Sequence, residues 1–227
     1  LAVSEATKHY LLRFFRVDPK RLLVTPLAAA AAFQPPPRSK IDRVRQQRAL
    51  PDRYMLYFGS NKPHKNVPRL VEAFARIGIR DRGSGIGLVI AGQWDERYPQ
   101  AKELVERLNL KDRVRFIGPV TDDDLPALYG GAHLFVFPSE YEGFGLPILE
   151  AMACGAPVVC GNRSSLPEVA GDAALLCDPQ DVAALARALE QALTDGRLRT
   201  ALQQRGLERA AQFTWEQAAA QTLKVYR

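Results

Sequence analysis

Cysteine is scarce in this chain of 227 residues, which contains only Cys154, Cys160 and Cys177. None of the three has the spacing of a metal-ligand motif, and all lie in apolar surroundings that suit small buried side chains. We therefore expect three buried thiols in a cytoplasmic protein, and no metal centre built on cysteine.

Long hydrophobic runs are also missing, because no apolar stretch approaches the ~18 residues that a membrane-spanning helix requires. Residues 1–5, Leu-Ala-Val-Ser-Glu, have neither the basic start nor the apolar stretch of a signal peptide, and the chain does not begin with Met. We therefore expect an excised fragment of a longer protein.

The positive charge lacks the clustering that nucleic-acid binding requires. The net charge is +6, but Lys and Arg are spread along the chain without interleaved aromatic residues. Nucleic acid is therefore not the expected partner. Phosphorylated ligands or an anionic membrane surface explain the charge equally well. The second explanation leaves open a peripheral position at the inner face of the membrane.

The sequence divides into three parts. Residues 1–33 predict a short strand, a helix that ends near Phe15 and a second short strand at 22–24, a pattern that suits the tail of another domain. Residues 34–53 begin with a proline run that neither a helix nor a central strand tolerates, and their Arg-rich remainder has little to bury. We interpret them as a linker with solvated arginines, and residues 54–227 as the main domain.

From residue 54 onward, short β-rich runs alternate with amphipathic helical patterns. The runs lie at 54–58, 88–91, 114–117, 134–137, 157–160 and 174–177. The helical patterns lie near 67–77, 99–109, 123–129, 147–153 and 165–170, with two longer ones after 181. Such alternation indicates right-handed crossovers around strands that are buried on both faces. We predict an α/β fold with a doubly wound parallel sheet, in which ligands bind at the carboxyl ends of the strands.

The stretch from Phe137 to Gly155 carries the most functional information. A strand that ends at Phe137 leads into a glycine-containing loop, and a helix is expected to begin at Pro147 and to be closed by Gly155. Gly143 and Gly145 let the backbone approach a ligand that a side chain would hold away. The orphan amides and the helix dipole at such an N-terminus favour a phosphate group.

Two carboxylates, Glu142 and Glu150, flank the glycine loop. An ionised carboxylate only accepts hydrogen bonds, so the pair can bind hydroxyl groups at two separate places on a ligand, one on a sugar and one on a ribose. Taken singly, each has a simpler interpretation. Glu142 suits an exposed loop, and Glu150 is a favourable charge near a helix N-terminus.

Together with the strand before it and the helix after it, the loop resembles the signature of family-4 retaining glycosyltransferases of the GT-B fold. In that signature, two glutamates flank a Gly-Phe-Gly-Leu-Pro sequence. The resemblance continues through residues 54–227 in order and spacing. It is carried by Tyr57-Phe58-Gly59-Ser60 with Pro63, Lys65 and Asn66, by Phe116-Ile117-Gly118, by Asn162 to Gly171, by Asp178-Pro179 and by Phe213-Thr214-Trp215-Glu216. On this resemblance the chain is the Rossmann-like C-terminal half of a GT-B glycosyltransferase, and residues 1–33 are a remnant of its N-terminal acceptor domain.

The resemblance also implies which residues bind the donor, a nucleoside-diphosphate sugar. Glu150 would hold the ribose hydroxyls, Glu142 would contact the donor sugar, and Lys65 would neutralise the diphosphate as it leaves. Lys65 and Glu142 are therefore the candidate catalytic residues. The other expected donor contacts are Gly59, Ser60, Ile117, Gly118, Gly143, Phe144, Gly145 and Leu146.

No metal or other cofactor is expected. A positioned cation and backbone amides can stabilise the charge that develops on a departing diphosphate without a metal. The Asp122-Asp123-Asp124 run is accordingly interpreted as the N-cap region of a helix.

One position departs from the family pattern. Many relatives have an Arg directly after the phosphate-loop glycine, whereas this chain has Ser60. Lys62 and His64 are candidates for the missing positive charge, although either is equally consistent with a solvated loop residue.

These residues predict a retaining glycosyltransferase that transfers a sugar to a saccharide or lipid-linked acceptor. GDP-mannose is the first donor to test, because the motifs resemble those of bacterial mannosyltransferases of polysaccharide assembly, and UDP-glucose and other nucleotide sugars remain open. A sugar-nucleotide epimerase of the same fold and a non-catalytic sugar-nucleotide-binding module are the alternatives. We expect this fragment to bind donor without transferring sugar.

Overall fold

Six short strands form one parallel sheet in the computed structural model, which describes residues 1–80 and 85–226. The strands are β1 (Arg53–Phe58), β2 (Ile86–Ala91), β3 (Val114–Gly118), β4 (Leu134–Phe137), β5 (Val158–Gly161) and β6 (Ala174–Cys177). They lie in the order β3-β2-β1-β4-β5-β6, and every pairing is parallel. Each strand overlaps one of the predicted apolar runs, so the doubly wound sheet is confirmed.

The helices of the described residues follow the predicted pattern, with additions at both ends. They are α1 (Glu5–Phe14), α2 (Arg38–Gln47), α3 (Val67–Arg80), α4 (Gln100–Arg107), α5 (Leu125–Gly130), α6 (Leu146–Ala153), α7 (Leu166–Ala170), α8 (Val182–Thr194), α9 (Gly196–Ala210) and α10 (Trp215–Leu223). Short 3-10 helices lie at Pro19–Arg21 and Pro63–Lys65. None of the helices in the described ranges is long and apolar enough to cross a bilayer.

The helices cover the sheet in two groups. Helix α3 packs on α4 and α8, whereas α6 packs on α5 and α9. Right-handed crossovers require this division, because the chain moves from β1 toward β3 and then returns to β4 and moves toward β6. The reversal between β1 and β4 sets the position of the site described below.

The centre of the sheet forms the core. Strands β2, β4 and β5 are buried along their whole length, as their continuous apolar runs predict. The expected burial of Cys154, Cys160 and Cys177 is confirmed. Burial raises the pKa of the Cys154 and Cys177 thiols to about 12, so both stay protonated at neutral pH.

The N-terminal segment has the predicted strand–helix–strand form in outline. Ala2 and Val24 form a parallel bridge on either side of α1, and the helix ends at its C-cap Phe15. The Ser4 side chain caps α1 by accepting a hydrogen bond from the Thr7 amide.

Residues 38–47 differ from the prediction, because they form helix α2 where we expected an irregular linker. The proline run before it and residues 48–52 after it are irregular, and Pro37 occupies the N-cap position. The helix packs on α5 and buries Val44, which is 1% exposed. One buried apolar residue is too weak a pattern to predict a helix, so α2 depends on contacts that are distant in sequence.

Those contacts are ion pairs with the acidic run before α5. Arg43 and Arg48 lie 3.4 Å from the carboxylate of Asp124, and Lys40 lies 2.7 Å from that of Asp123. Asp124 does occupy the N-cap position of α5, but its side chain makes no capping hydrogen bond. The N-cap interpretation is therefore right about position and wrong about the role of the carboxylate. The arginines of the supposed linker are likewise paired, not simply solvated.

Candidate functional site

The crevice at the carboxyl ends of β1 and β4 is where the fold predicts a ligand. These two strands are neighbours in the sheet, yet β1 leads to α3 on one face and β4 leads to α6 on the other. Loops that diverge in this way open a crevice at the topological switch point of an α/β sheet. The two glutamates and Lys65 all lie on the segments that follow these strands.

The glycine loop after β4 depends on Gly145. This residue is the N-cap of α6 with φ of 101°, a left-handed conformation that L side chains rarely adopt. A Cβ at this position would also lie 2.7 Å from the Leu166 side chain. Helix α6 begins at Leu146, with Pro147 in its first turn, and is followed by Gly155 at φ of 77°. The predicted helix limits are therefore correct to within one residue.

Hydroxyl groups hold the carbonyls of this loop. Ser164 Oγ donates to the Glu142 carbonyl at 2.7 Å, and Ser165 Oγ donates to that of Phe144 at 2.8 Å. Both serines belong to the stretch that sequence resemblance singled out, and they fix the loop on which Glu142 lies.

Two residues from the N-terminal segment complete this support. Ser4 Oγ and Thr7 Oγ1 donate to the carbonyl of Gly143 at 2.6 and 2.9 Å. The Glu168 carboxylate in turn accepts hydrogen bonds from the first amides of α1, including that of Glu5 at 2.9 Å. Sequence reasoning assigned residues 1–33 to another domain and missed this contact with the glycine loop.

Lys65 and Glu142 form a close ion pair in the crevice. Lys65 Nζ lies 2.6 Å from Glu142 Oε1, and the two side chains are only 16% and 12% exposed. Lys65 Nζ also lies 5.1 Å from the centre of the Phe137 ring, within range of a cation–π interaction. The structure thus joins the two candidate catalytic residues.

The backbone around Lys65 is constrained. Lys65 ends the 3-10 helix Pro63–Lys65, and Asn66 follows with φ of 62°. Asn66 is buried, and its side-chain amide donates to the Pro179 carbonyl, while Arg69 Nη1 donates to its Oδ1 at 2.8 Å. These bonds offset the strain of the left-handed residue and fix the position of Lys65.

The turn after β1 brings two glycines into contact. A Cβ on Gly92 would lie 2.2 Å from the Gly59 carbonyl oxygen, so this close approach excludes any side chain. The buried Tyr57 hydroxyl donates to the Ser60 carbonyl at 2.6 Å, which fixes the turn. Ser60 therefore lies on the crevice through its backbone, but its side chain supplies no positive charge.

The two candidates for that charge differ in their surroundings. Lys62 is exposed, whereas His64 is half-buried. Burial, followed by the neighbouring Lys65 charge, lowers the pKa of His64, so its imidazole is neutral at pH 7. The His64 carbonyl accepts hydrogen bonds from Glu140 and Ser139. Its observed contacts are therefore structural, and Lys65 is the cation that pairs with Glu142.

Glu150 lies apart from the ion pair, in the second turn of α6. Its Oε2 accepts a hydrogen bond from the Tyr129 hydroxyl at 3.0 Å. Burial raises the pKa of Glu150, and the Tyr129 bond opposes this shift. Sequence reasoning missed Tyr129, because nothing in its local pattern distinguishes a tyrosine that packs in the core from one that binds a carboxylate.

The remaining predicted contacts lie at the end of β3. Ile117 and Gly118 are half-buried, Gly118 has φ of 68°, and its carbonyl accepts the Gly92 amide at 2.9 Å. A cavity of about 170 Å³ opens between the ends of β1, β2 and β3. It is lined by Tyr57, Gly59, Asn61, Ile90, Ala91, Gly92, Trp94, Lys102, Phe116 and Gly118. The cavity lies on the β3 side of the switch point and includes Gly118, one of the expected donor contacts.

A family comparison agrees with this geometry. The family model described as "Glycosyl transferases group 1" matches residues 39–209. The match covers more than half of the chain, so the chain belongs to this family of glycosyltransferases. The match begins inside the segment that we predicted to be a linker, in keeping with the packing of α2 on the domain.

The similar curated proteins include mannosyltransferases. The chain is 40% identical over 228 residues to O-antigen chain mannosyltransferase B of Escherichia coli, covering 100% of this chain and 60% of that protein. It is 35% identical over 232 residues to MMP alpha-(1->4)-mannosyltransferase of Mycolicibacterium hassiacum, covering 100% of this chain and 53% of that protein. The chain thus spans less than two-thirds of the length of these relatives.

Solved structures support the fold. Sucrose-phosphate synthase from Thermosynechococcus elongatus matches with a TM-score of 0.84 and 31% identity, covering 100% of this chain and 57% of that chain. The predicted Rossmann-like α/β fold and its GT-B type are therefore confirmed.

Proposed function

We propose that the chain binds a nucleoside-diphosphate sugar and belongs to an enzyme that transfers the sugar with retention of anomeric configuration. The observation that carries this proposal is the ion pair between Lys65 and Glu142 at the switch point. It places a cation and a hydrogen-bond acceptor side by side, next to the glycine that caps α6. A diphosphate and a sugar require those two groups.

Lys65 is proposed to bind the diphosphate. When the bond to the sugar breaks, negative charge accumulates on the leaving phosphate, and a fixed cation together with helix N-terminal amides stabilises that charge. Lys65 is held by a short helix and a buried Asn66, so little reorganisation is needed. We propose on this ground that transfer needs no metal, and that a chelator leaves it unchanged.

The two glutamates are proposed to bind different hydroxyl groups. Glu142, beside Lys65, would accept from the donor sugar, and Glu150, farther along α6, would accept from the ribose. Gly59, Ser60 and residues 143–146 would approach the sugar and diphosphate through their backbone, and residues 117–118 would approach the base. This assignment follows the roles that the family resemblance implies for these positions.

GDP-mannose is the proposed donor, because the chain is similar to proteins described as mannosyltransferases. The acceptor is proposed to be a saccharide or a lipid-linked saccharide, since one of these relatives is described as acting on the O-antigen chain. A lipid-linked acceptor would bring the enzyme to the inner face of the membrane, and the net charge of +6 suits an anionic surface.

The test is a panel of GDP, UDP and ADP, each with and without its sugar, in thermal unfolding. A ligand that binds only the folded state raises the unfolding temperature, and we expect the largest rise with GDP-mannose. Calorimetry should then show tighter binding of GDP than of GMP, because only GDP carries the second phosphate. Equal affinity for GDP and GMP would contradict the assignment of Lys65 to the diphosphate.

Lys65→Ala provides the residue-level test. We expect it to weaken GDP binding about tenfold or more, since a hydrogen bond to a charged group is worth roughly 1.5–3 kcal/mol. Lys111→Ala is the control, because Lys111 is 68% exposed and pairs with Glu106 away from the crevice. It should leave GDP binding unchanged.

A non-catalytic sugar-nucleotide-binding module is the second candidate. The ion pair of Lys65 and Glu142 supports it as well, because this pair can bind a nucleotide sugar whether or not transfer follows. Product analysis separates the candidates, because a transferase consumes donor in the presence of acceptor or slowly hydrolyses it, whereas a binding module leaves it intact. An epimerase would convert the nucleotide sugar itself, and no feature of the described residues favours that reaction.

A further inference from the structure

Tyr129 is a buried polar side chain that the proposed function does not yet use. It lies near the end of α5 with no exposed surface. Its ring meets those of Phe33, Phe58 and Phe135 edge to face, with centroid distances of 6.1, 5.9 and 5.1 Å. Three aromatic contacts from three different segments leave the ring little freedom to move.

The Tyr129 hydroxyl is therefore fixed in space, and it donates to Glu150 Oε2 at 3.0 Å. A buried hydroxyl without a hydrogen-bond partner is unfavourable, so the tyrosine and the carboxylate hold each other in place. The carboxylate of a glutamate turns about several bonds, and this one is only half-buried. A rigid donor on one oxygen selects a single orientation and leaves the other oxygen for a ligand.

We propose that Tyr129 is a positioning residue, which holds the Glu150 carboxylate in the orientation that receives the ribose hydroxyls of the nucleotide. This inference rests on the proposed binding of a nucleotide by Glu150. It adds a hydrogen-bond donor from a different helix, and this donor gives a fixed orientation to a carboxylate that would otherwise be flexible.

The charges around Glu150 make this donor important. Burial and the negative charge of Asp122 both raise the pKa of Glu150, and only the Tyr129 bond among the described influences lowers it. The thiol of Cys154, the C-cap residue of α6, is neutral, with its pKa raised to about 12 by burial. Burial also raises the pKa of Tyr129 well above its usual value, so the hydroxyl stays a donor at every working pH. Tyr129 thus favours the ionised form of Glu150 that accepts from a ribose.

The experiment compares Tyr129→Phe with the wild type in binding GDP and 2′,3′-dideoxy-GDP by calorimetry. Phenylalanine keeps the ring and its aromatic contacts and removes only the hydroxyl. We expect roughly fivefold to tenfold weaker binding of GDP, the range for loss of one charge-assisted hydrogen bond acting through a second residue. Binding of the dideoxy nucleotide, which lacks both ribose hydroxyls, should be unchanged. An equal loss for both nucleotides would overturn the proposal.

Tyr54→Phe is the matched control. Tyr54, on β1, is also buried. Its hydroxyl donates to the backbone carbonyl of Leu128 at 2.8 Å, and Leu128 lies on α5, the helix that carries Tyr129. This variant loses a buried hydrogen bond of a tyrosine but does not touch Glu150. It should unfold at a lower temperature and bind both nucleotides as the wild type does.

A double-mutant cycle with Glu150→Ala gives a second, independent readout. If Tyr129 acts through Glu150, adding Tyr129→Phe to Glu150→Ala should cause no further loss of GDP affinity. Additive losses would contradict the proposal. If the wild type binds neither nucleotide, the proposed function fails first. If it binds both with equal affinity, the ribose role of Glu150 fails.

The pH dependence provides a third readout. GDP binding requires ionised Glu150, so affinity should fall as the pH drops through the raised pKa of this carboxyl. Removing the bond that opposes the shift raises that pKa further, and the fall in Tyr129→Phe should begin at a higher pH than in the wild type. Coincident profiles would show that the hydroxyl has no influence on Glu150.

Discussion

At the scale of single residues, the ion pair between Lys65 and Glu142 has two roles that compete. Glu142 neutralises Lys65 when no donor is present, yet the proposed diphosphate requires the same ammonium group. Because both side chains are largely buried, the carboxylate lowers the cost of holding Lys65 in the crevice and also opposes a second anion there. Substitution of Glu142 should therefore change binding and transfer in opposite directions.

Glu142→Gln is expected to bind GDP more tightly than the wild type, by about threefold to tenfold, since a partly buried charge pair is worth on the order of 1 kcal/mol. Transfer, assayed in the full-length relative with the matching substitution, should fall, because the amide is a weaker acceptor for the sugar. Glu140→Gln is the control, since Glu140 pairs with Arg69 at 2.8 Å and not with Lys65. Weaker GDP binding in Glu142→Gln, measured by calorimetry, would contradict this expectation.

The residues that the sequence predicts best are those whose role is set by local backbone geometry. Gly145, Pro147 and Gly155 lie where a loop and a helix require them, and the structure agrees to within one residue. Tyr129 could not be predicted, because its role depends on a contact with Glu150 across two helices. A local pattern carries no information about which face of α5 meets α6.

At the scale of secondary-structure elements, the start of α6 depends on one glycine. Gly145→Ala should destabilise the fold by roughly 1–3 kcal/mol, because alanine is strained at this φ and its Cβ would contact Leu166. Nucleotide affinity should fall with it. Gly143→Ala is the matched control in the same loop, since the nearest atom to its added Cβ is 3.8 Å away. Chemical denaturation of both variants gives the comparison, and equal stability would show that the loop adapts.

Helix α2 shows where sequence-based prediction of elements fails. Its residues are polar and follow three prolines, so local preference favours a linker. The helix is stabilised by packing on α5 and by ion pairs with an acidic run about 80 residues away, as in the pair of Lys40 with Asp123. The strands of the sheet were predictable, because buried strands appear in the sequence as continuous apolar runs. Complementary charges on two exposed segments produce no hydrophobic pattern, so they do not predict a helix.

Asp124→Ala should lower the free energy of unfolding by about 1 kcal/mol, the upper range for a charge that pairs at the surface with more than one partner. Its carboxylate is 19% exposed and contacts both Arg43 and Arg48. Asp52→Ala is the control, because Asp52 is 94% exposed and makes a single long contact with Arg45. The difference between the variants should shrink in high salt, and a difference that is independent of salt would assign the effect to packing.

At the scale of the whole molecule, we predict that this chain binds donor but does not transfer sugar by itself. It covers 60% of the E. coli relative, and transfer requires two substrates held in register. Such positioning contributes roughly 7–11 kcal/mol in favourable cases, and we expect the donor-binding domain to be unable to supply it without the acceptor domain that the family resemblance implies. Labelled GDP-mannose should be incubated with candidate acceptors and either this chain or the full-length relative. Acceptor-dependent turnover at comparable rates would refute the prediction.

The bonds between the N-terminal segment and the glycine loop bear on the order of folding. Ser4 and Gly143 are 139 residues apart, and the contact of Glu5 with Glu168 closes a loop of 163 residues. Contacts of such long range carry a large loss of chain entropy, and proteins delay them until local structure has formed. The sheet can therefore form before the loop has its final support. We therefore expect affinity for nucleotide to appear after the strands have formed, because the site is completed only when α1 docks.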